Sequence, residues 1–339
     1  SQLLDAVAEQ RSGLMVVNSA AMLAELRAAL DATQPGLAEA MSGYLDATPP
    51  YSVGSVSFAD DAFLMDAASQ LPDAELRPEN SERTLAGRLP ADTLFFADGS
   101  RIGPMLEQAL VAMKATLAIG AMDSEQLDGL DQVETALGAE LEEFVSWIGD
   151  GAVAGGWDGD APWFGALLQA DDADAAARRL NQLGALAELA AAEQGSGVQV
   201  GTETVGGVEV TTITFGGEPT PAVEAFAEAV TIQYALDGDL ALLGVGDRFV
   251  EAALSQGAAG SLAESDRFDA AIDRFGGSAS SGTFFLDLAG LREAVEGAMP
   301  LDAMGYAEVR ENLLPLDYLA GVTRVDGDLL VSRMGLVLR

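Results

Sequence analysis

Cysteine and histidine are absent from all 339 residues, and lysine occurs once, at Lys114. Without thiols there is no disulfide, no thiolate nucleophile and no Cys/His zinc site. Without imidazole there is no His general base, no Ser-His-Asp triad and no haem held by His. Basic residues are scarce as a class, 17 Lys+Arg against 54 Asp+Glu, for a formal net charge of -37. Nucleic acid is therefore excluded as an expected partner, because neutralising phosphate needs clustered cations, and a peripheral hold on anionic lipid fails for the same reason. Long apolar runs are lacking too: no stretch of about 18 residues is apolar throughout, so the sequence carries no transmembrane segment of the helical kind. No signal peptide is visible. The chain opens at Ser1, without Met, within what reads as half of a repeat, so it reads as a processed or truncated product with room upstream for a leader or anchor.

What remains is a folding sequence. Hydrophobic residues make up 49%, too many for a disordered acidic tail, and the length suits about two domains with a substantial core. The acidity has two candidate origins, a GC-rich coding background or a surface adapted to high salt, where dense carboxylates keep a protein hydrated.

Helical periodicity marks Leu3–Arg11, Ala20–Leu30 behind an Asn18 or Ser19 cap, Gly36–Leu45, Met105–Leu117 after Gly103-Pro104, two stretches within Ser124–Trp147, the Ala-rich Asp171–Ala192 behind its acidic cap, a short helix within Pro219–Glu228, and Asp247–Gln256. Strands are expected at Leu14–Val17, Ser52–Phe58 with a partner running to Gln70, and Thr93–Ala97. Hairpins follow at Ala152–Trp157/Trp163–Gln169, Gln199–Val205/Val208–Phe215 and Thr231–Leu236/Leu240–Val245, with Asp-Gly and Gly-Gly as turn residues. Pro72–Arg83, polar with two prolines, reads as a linker.

The pieces Ser280–Leu291 (SSGTFFLDLAGL) and Leu316–Arg339 (LDYLAGVTRVDGDLLVSRMGLVLR) have earlier counterparts in Gly13–Leu23 (GLMVVNSAAML) and Tyr51–Leu71 (YSVGSVSFADDAFLMDAASQL). Aligned by hand, Arg267–Phe275 lies over Leu3–Arg11 and Ser19 over Asp287, and both halves read helix, strand, cap, helix, helix, hairpin. This is an internal repeat. It predicts residues 1–73 as the carboxyl half of a first unit, 74–84 as a linker and 85–339 as a complete second unit. The fold class is α+β: antiparallel hairpins forming curved sheets, helices packed on one face, built as duplicated units.

No catalytic constellation stands out. Asp158-Gly159-Asp160, Asp237-Gly238-Asp239 and Asp326-Gly327-Asp328 resemble the start of a calcium loop but lack its further ligand positions, and Asp-Gly between apolar strands is a preferred hairpin turn. The pairs Glu142-Glu143, Asp171-Asp172 and Asp60-Asp61 are the residue type of glycosidic acid–base chemistry, yet 54 carboxylates make such pairs expected by composition. Gly149–Gly159 lacks the Gly-Lys-Ser/Thr ending of a phosphate loop. Gly244-Val245-Gly246 lacks the third glycine of a dinucleotide fingerprint, Phe249 standing there. Ser278, Ser280 and Ser281 have no base to activate them. Trp147, Trp157 and Trp163 read as core aromatics first and as a groove lining second. No catalytic, cofactor-binding or metal-binding residue is assigned, and no cofactor is expected.

The segment Leu85–Ser100 (LAGRLPADTLFFADGS), with its LPADT run into a short aromatic strand, followed by SGTFFLDLAGL and YLAGVTRVDGDLLVSRMGLVL, resembles the bacterial family known as domain of unknown function 3352. The resemblance implies an exported or membrane-anchored protein of duplicated α+β architecture with no established activity. The expectation is thus a non-enzymatic extracytoplasmic binding or structural protein of the cell envelope, with a protein partner or an apolar ligand. The alternative is a carboxylate-based hydrolase or a calcium-dependent module.

The charge generates one test. Self-repulsion at -37 is relieved as the Debye length falls from about 10 Å at 0.1 M salt to about 3 Å at 1 M. The melting temperature, followed by circular dichroism, is expected to rise between those two salt concentrations; an unchanged midpoint would remove self-repulsion as a stability constraint.

Overall fold

The computed structural model describes residues 2–7, 11–33, 45, 48–71, 77–82, 84–116, 132–158, 161–192, 197–216, 230–255, 260–277, 279–298 and 306–339. The expected helices at 36–45 and within 219–228 lie outside the described residues apart from Leu45. Turn chemistry sets the strand pairs. Gly206, Gly207, Gly238 and Gly327 all adopt positive φ, between 60° and 90°, the conformation that tight hairpins require and glycine supplies without steric cost. They close β8 (Val198–Val205) on β9 (Val208–Phe215), β10 (Val230–Asp237) on β11 (Leu240–Val245), and β14 (Leu316–Asp326) on β15 (Leu329–Leu338). Two further hairpins join β2 (Tyr51–Ala59) to β3 (Ala62–Gln70) and β6 (Ile148–Asp158) to β7 (Ala161–Ala170).

With β1 (Gly13–Asn18), β5 (Phe95–Gly99) and β13 (Gly282–Asp287), these hairpins form one antiparallel sheet of 13 strands in the order β1-β2-β3-β15-β14-β13-β5-β6-β7-β11-β10-β9-β8. A second, two-stranded sheet pairs β4 (Ser81–Glu82) with β12 (Ala279–Ser280). Helices among the described residues include α1 (Gln2–Asp5), α2 (Ser19–Thr33), α3 (Ile102–Thr116), α4 (Leu141–Val145), α5 (Ala173–Ala192), α6 (Phe249–Ser255), α7 (Asp266–Phe275), α8 (Leu288–Ala298) and α9 (Tyr306–Leu313). The architecture is α+β, built on antiparallel hairpins. Ile148, directly after the stretch expected to be helical up to Trp147, opens β6.

Alternation along the strands separates two faces. On β11, Leu240 and Leu242 point into the main core with α6 and α7, while Ala241 and Leu243 join a smaller cluster beneath α5. In α7 the buried residues Phe268, Ala271, Ile272 and Phe275 recur at helical spacing and form one stripe. Phe268 stands edge-on to both Phe96 and Phe285, at 5.7 and 5.3 Å between ring centroids. A Cβ at Gly165 would come within 2.2 Å of the Phe249 ring, so close packing of α6 on β7 requires glycine there.

A strand, a helical crossover and a hairpin occur three times: β1-α2-β2-β3, β5-α3-α4-β6-β7 and β13-α8-α9-β14-β15. Register fixes their correspondence. Met15, Phe95 and Phe284 each face a glycine of the hairpin, Gly54, Gly155 and Gly321. Asn18 faces Tyr51 as Asp287 faces Tyr318, so Asn18, one residue before Ser19, is the counterpart of Asp287. Both cap the following helix, Asn18 accepting from the Ala21 N–H at 3.2 Å and Asp287 from that of Gly290 at 2.7 Å.

Two local twofold relations join the units. Where β5 meets β13, Phe96 faces its own counterpart Phe285. Where β3 meets β15, Asp66 faces its counterpart Arg333, with Leu64 opposite Gly335 and, symmetrically, Ala68 opposite Val331. The segment expected as a linker, 74–84, is docked where it is described: Arg77 donates to Gly327 O, Asn80 exchanges hydrogen bonds with Val325, and Ser81–Glu82 pair with β12.

Asp66 is only 4% exposed, and Arg333 ion-pairs with it across the β3–β15 junction. Arg333→Ala strands a buried carboxylate and is expected to destabilise the fold by about 2 kcal/mol, below the about 3–5 of a fully buried pair because Arg333 is half exposed. Asp66→Leu/Arg333→Leu is expected to recover part of that loss, as read by urea unfolding; a double variant less stable than the single one would contradict this account.

Candidate functional site

Several of the carboxylates that drew notice in the sequence have separate partners. Glu142 binds Lys114 and Glu143 binds Arg179, so the two neighbours serve different partners. Asp172 caps α5 through the Ala175 N–H at 2.9 Å. Asp61 takes two hydrogen bonds from Arg274, which with its charge hold the carboxyl below its usual range. Gly238 and Gly327 form hairpin turns, with Asp237 paired to Arg88 and Asp328 to Arg77. Residues 159–160 of the first Asp-Gly-Asp run lie outside the described residues, although Asp158 and Ala161 pair as a tight hairpin requires. Among the described residues no group of three or more acidic side chains is placed to hold a metal ion.

Ser280 and Ser281 are buried, bonded to Thr283 and to the Thr323 carbonyl; Ser278 lies outside the described residues. The Gly244–Gly246 turn closes on Thr231 through its backbone. Trp147 and Trp163 are core residues, while Trp157 is half-buried, its indole N–H without a partner among the described residues.

Asp287 does two things at once. Besides capping α8, it receives a bidentate pair from Arg267 at 2.6 and 2.8 Å, and the same guanidinium reaches Asp317 at 3.0 Å, which Arg339 also binds at 2.8 Å. Burial alone would raise the Asp317 carboxyl, but hydrogen bonds from Arg339 and Arg267 outweigh it and hold the group below its ordinary 3.8. These residues tie α7 to the ends of β13 and β14, and their charges are spent on each other.

The surface with capacity to spare is the sheet face opposite the main core. Cross-strand register lines up one transverse row, Phe58, Phe63, Leu336, Leu319, Leu286 and Phe95. It continues through Gly155, Phe164, Val245, Ile232, Ile213 and Val200. The row crosses every strand of the large sheet except β1 without one polar side chain, a span of about 50 Å at the usual strand spacing. The adjacent row repeats the pattern in Val56, Met65, Met334, Gly321, Phe284, Ala97, Val153, Ala166 and Leu243.

Exposure concentrates at two places on this face. On β2, Phe58 is 69% exposed and stacks edge-on against Phe63 at 5.2 Å. On β6, β7 and β11, Val153, Phe164 and Val245 are 47%, 50% and 59% exposed, with the Phe164 ring lying over Gly155, where a Cβ would come within 2.7 Å of it. Leu319, Leu286 and Phe95 between them are half-buried, and Ile213 and Tyr234 at the far end are buried in the α5 cluster. A separate cavity of about 820 Å³ lies between α2 and the ends of β3 and the β14–β15 turn, lined by Leu23, Arg27, Pro50, Leu71 and Arg77 among others.

A family model described as a protein of unknown function, DUF3352, matches residues 4–317. The chain belongs to this family. No curated protein matches it significantly, and neither does any solved structure. The DUF3352 match spans the first two strand-helix-hairpin units and the strand and helices of the third, ending at the start of β14. No described helix of this DUF3352 protein is long and apolar enough to cross a membrane.

The ion network generates the pH prediction. Because the Asp317 carboxyl is depressed in the fold, its contribution is present above the unfolded value and is lost as pH falls through the folded one. Unfolding free energy is expected to drop below about pH 4, less steeply in Arg267→Gln, which at pH 7 is itself less stable by about 1–2 kcal/mol. Parallel pH profiles for the two proteins would contradict the assignment.

Proposed function

We propose that this DUF3352 protein is a non-enzymatic extracytoplasmic protein of the cell envelope, exported or membrane-anchored, whose open sheet face holds an apolar ligand or an apolar patch of a protein partner. The observation that carries the reading is the transverse row that exposes Phe58, Phe164 and Val245 to solvent. An acidic protein gains solubility by covering apolar surface with charge, and leaving two phenylalanines uncovered costs about 1.5–3 kcal/mol each relative to burial. Val153, Phe164 and Val245 adjoin on neighbouring strands, and contiguous exposed apolar surface of that kind marks interaction sites.

On this face the Phe95 and Phe284 rings stack edge-on at 5.8 Å, and the Phe164 ring closes over Gly155.

A neutral apolar dye, Nile red, tests the face. Its fluorescence is expected to rise on saturable binding, and Phe58→Asp/Phe164→Asp is expected to weaken that binding at least about tenfold with little change in melting temperature, since both side chains are half exposed or more. Absence of dye binding, or binding indifferent to the two substitutions, would overturn the proposal. Cell fractionation that finds the protein in the cytosol would overturn its location.

A further inference from the structure

The two edges of the large sheet differ. β8 is guarded by Thr202, Glu203 and Thr204, a charge and polar groups of the kind that discourage further pairing. β1, at the other edge, is Gly-Leu-Met-Val-Val-Asn: no charge, no proline, and Met15 and Val16 exposed at 63% and 62%.

Val16 is the counterpart of Phe96 and Phe285. At that position the side chain is 0% exposed in β5 and 2% in β13, where the two strands pair and Phe268 of α7 lies over both rings, against 62% in β1. The edge through which β5 and β13 pair is the one that β1 leaves without a partner among the described strands. Leu14, on the same side of β1 as Val16, is also exposed, so the edge offers a shallow apolar step next to backbone groups that pair with no further described strand. A second β1 would bring another Val16 and leave the volume of a ring unfilled, whereas a strand like β5 brings a phenylalanine to that place.

We infer that the free edge of β1 is a docking site for an antiparallel apolar strand of the β5 kind, an extended segment with a phenylalanine opposite Val16 and a carboxylate two residues on, as Phe96 and Asp98 stand in β5. The pairing repeats outside the chain the one that joins β5 to β13 within it. Register then places Met15 beside the residue after the phenylalanine, as Phe284 lies opposite Ala97.

The probe is a fluorescent octapeptide with the sequence of residues 93–100, Thr-Leu-Phe-Phe-Ala-Asp-Gly-Ser, titrated into the whole protein by anisotropy. Saturable one-to-one binding is expected, with amide exchange slowed at residues 13–18. Val16→Glu, at a position exposed enough to leave the melting temperature unchanged, is expected to weaken binding at least tenfold, and so is replacing the peptide's second phenylalanine by proline. No binding, or binding insensitive to both changes, overturns the inference. So does a dimer seen by analytical ultracentrifugation that Val16→Glu abolishes and the peptide does not dissociate, because a second copy would then be the occupant.

Discussion

The stacking of Phe268 on Phe96 and Phe285 is the contact on which the rest of the structure depends. Three rings from α7, β5 and β13 meet at the place where two repeat units face each other across a local twofold. Phe96 and Phe285 come from strands separated by nearly 190 residues of sequence, so their pairing closes a large loop, and the loss of chain entropy is offset by burying three rings together. Once β5 and β13 are side by side, each carries its own hairpin outward, β6–β7 one way and β14–β15 the other. The sheet grows from this centre in both directions.

Turn chemistry made the hairpins legible in the sequence: Gly206-Gly207, Gly238 and Gly327 announce left-handed turns, and each sits where the strands reverse. The first and last units were legible as a repeat for the same reason, since Gly13–Leu23 and Ser280–Leu291 share strand, cap and helix. Their alignment slipped by one residue because Asn18 and Ser19 are both good caps, and only the pairing to Tyr51 decides between them. The middle unit escaped notice because its junction is longer. Arg101, with φ of 53°, separates Asp98 from the start of α3, and the Arg101 N–H is received by Asp150 of β6. Alignment by spacing cannot see a cap donated from another strand.

The apolar face was hidden for a different reason. Its residues are ordinary apolar positions of separate strands, and nothing in the chain says that Phe58, Leu286 and Phe164 fall in one row until nonlocal register is known. The same holds for ion pairs over long separations: Arg267 with Asp287 and Asp317, and Lys114 with Glu134 and Glu142. Composition warned that the few cations would be sought by many carboxylates, but not which would win. The outcome is that arginines and the one lysine act as staples between elements, holding α7 to the sheet and α3 to α4.

The position of β15 has a consequence for how the protein is made. It follows every other strand in the chain, yet it lies between β14 and β3 and alone links the first unit to the others within the sheet. During synthesis the β1–β3 arm therefore waits, with the edge of β3 open, until more than 250 further residues have left the ribosome. The first arm is the last to be joined to the sheet. For that interval Asp66, buried in the finished protein, faces water without Arg333, and a charge on an open strand edge is a barrier to premature pairing with other nascent chains. The carboxylate that costs desolvation in the folded state thus protects the arm on the way there.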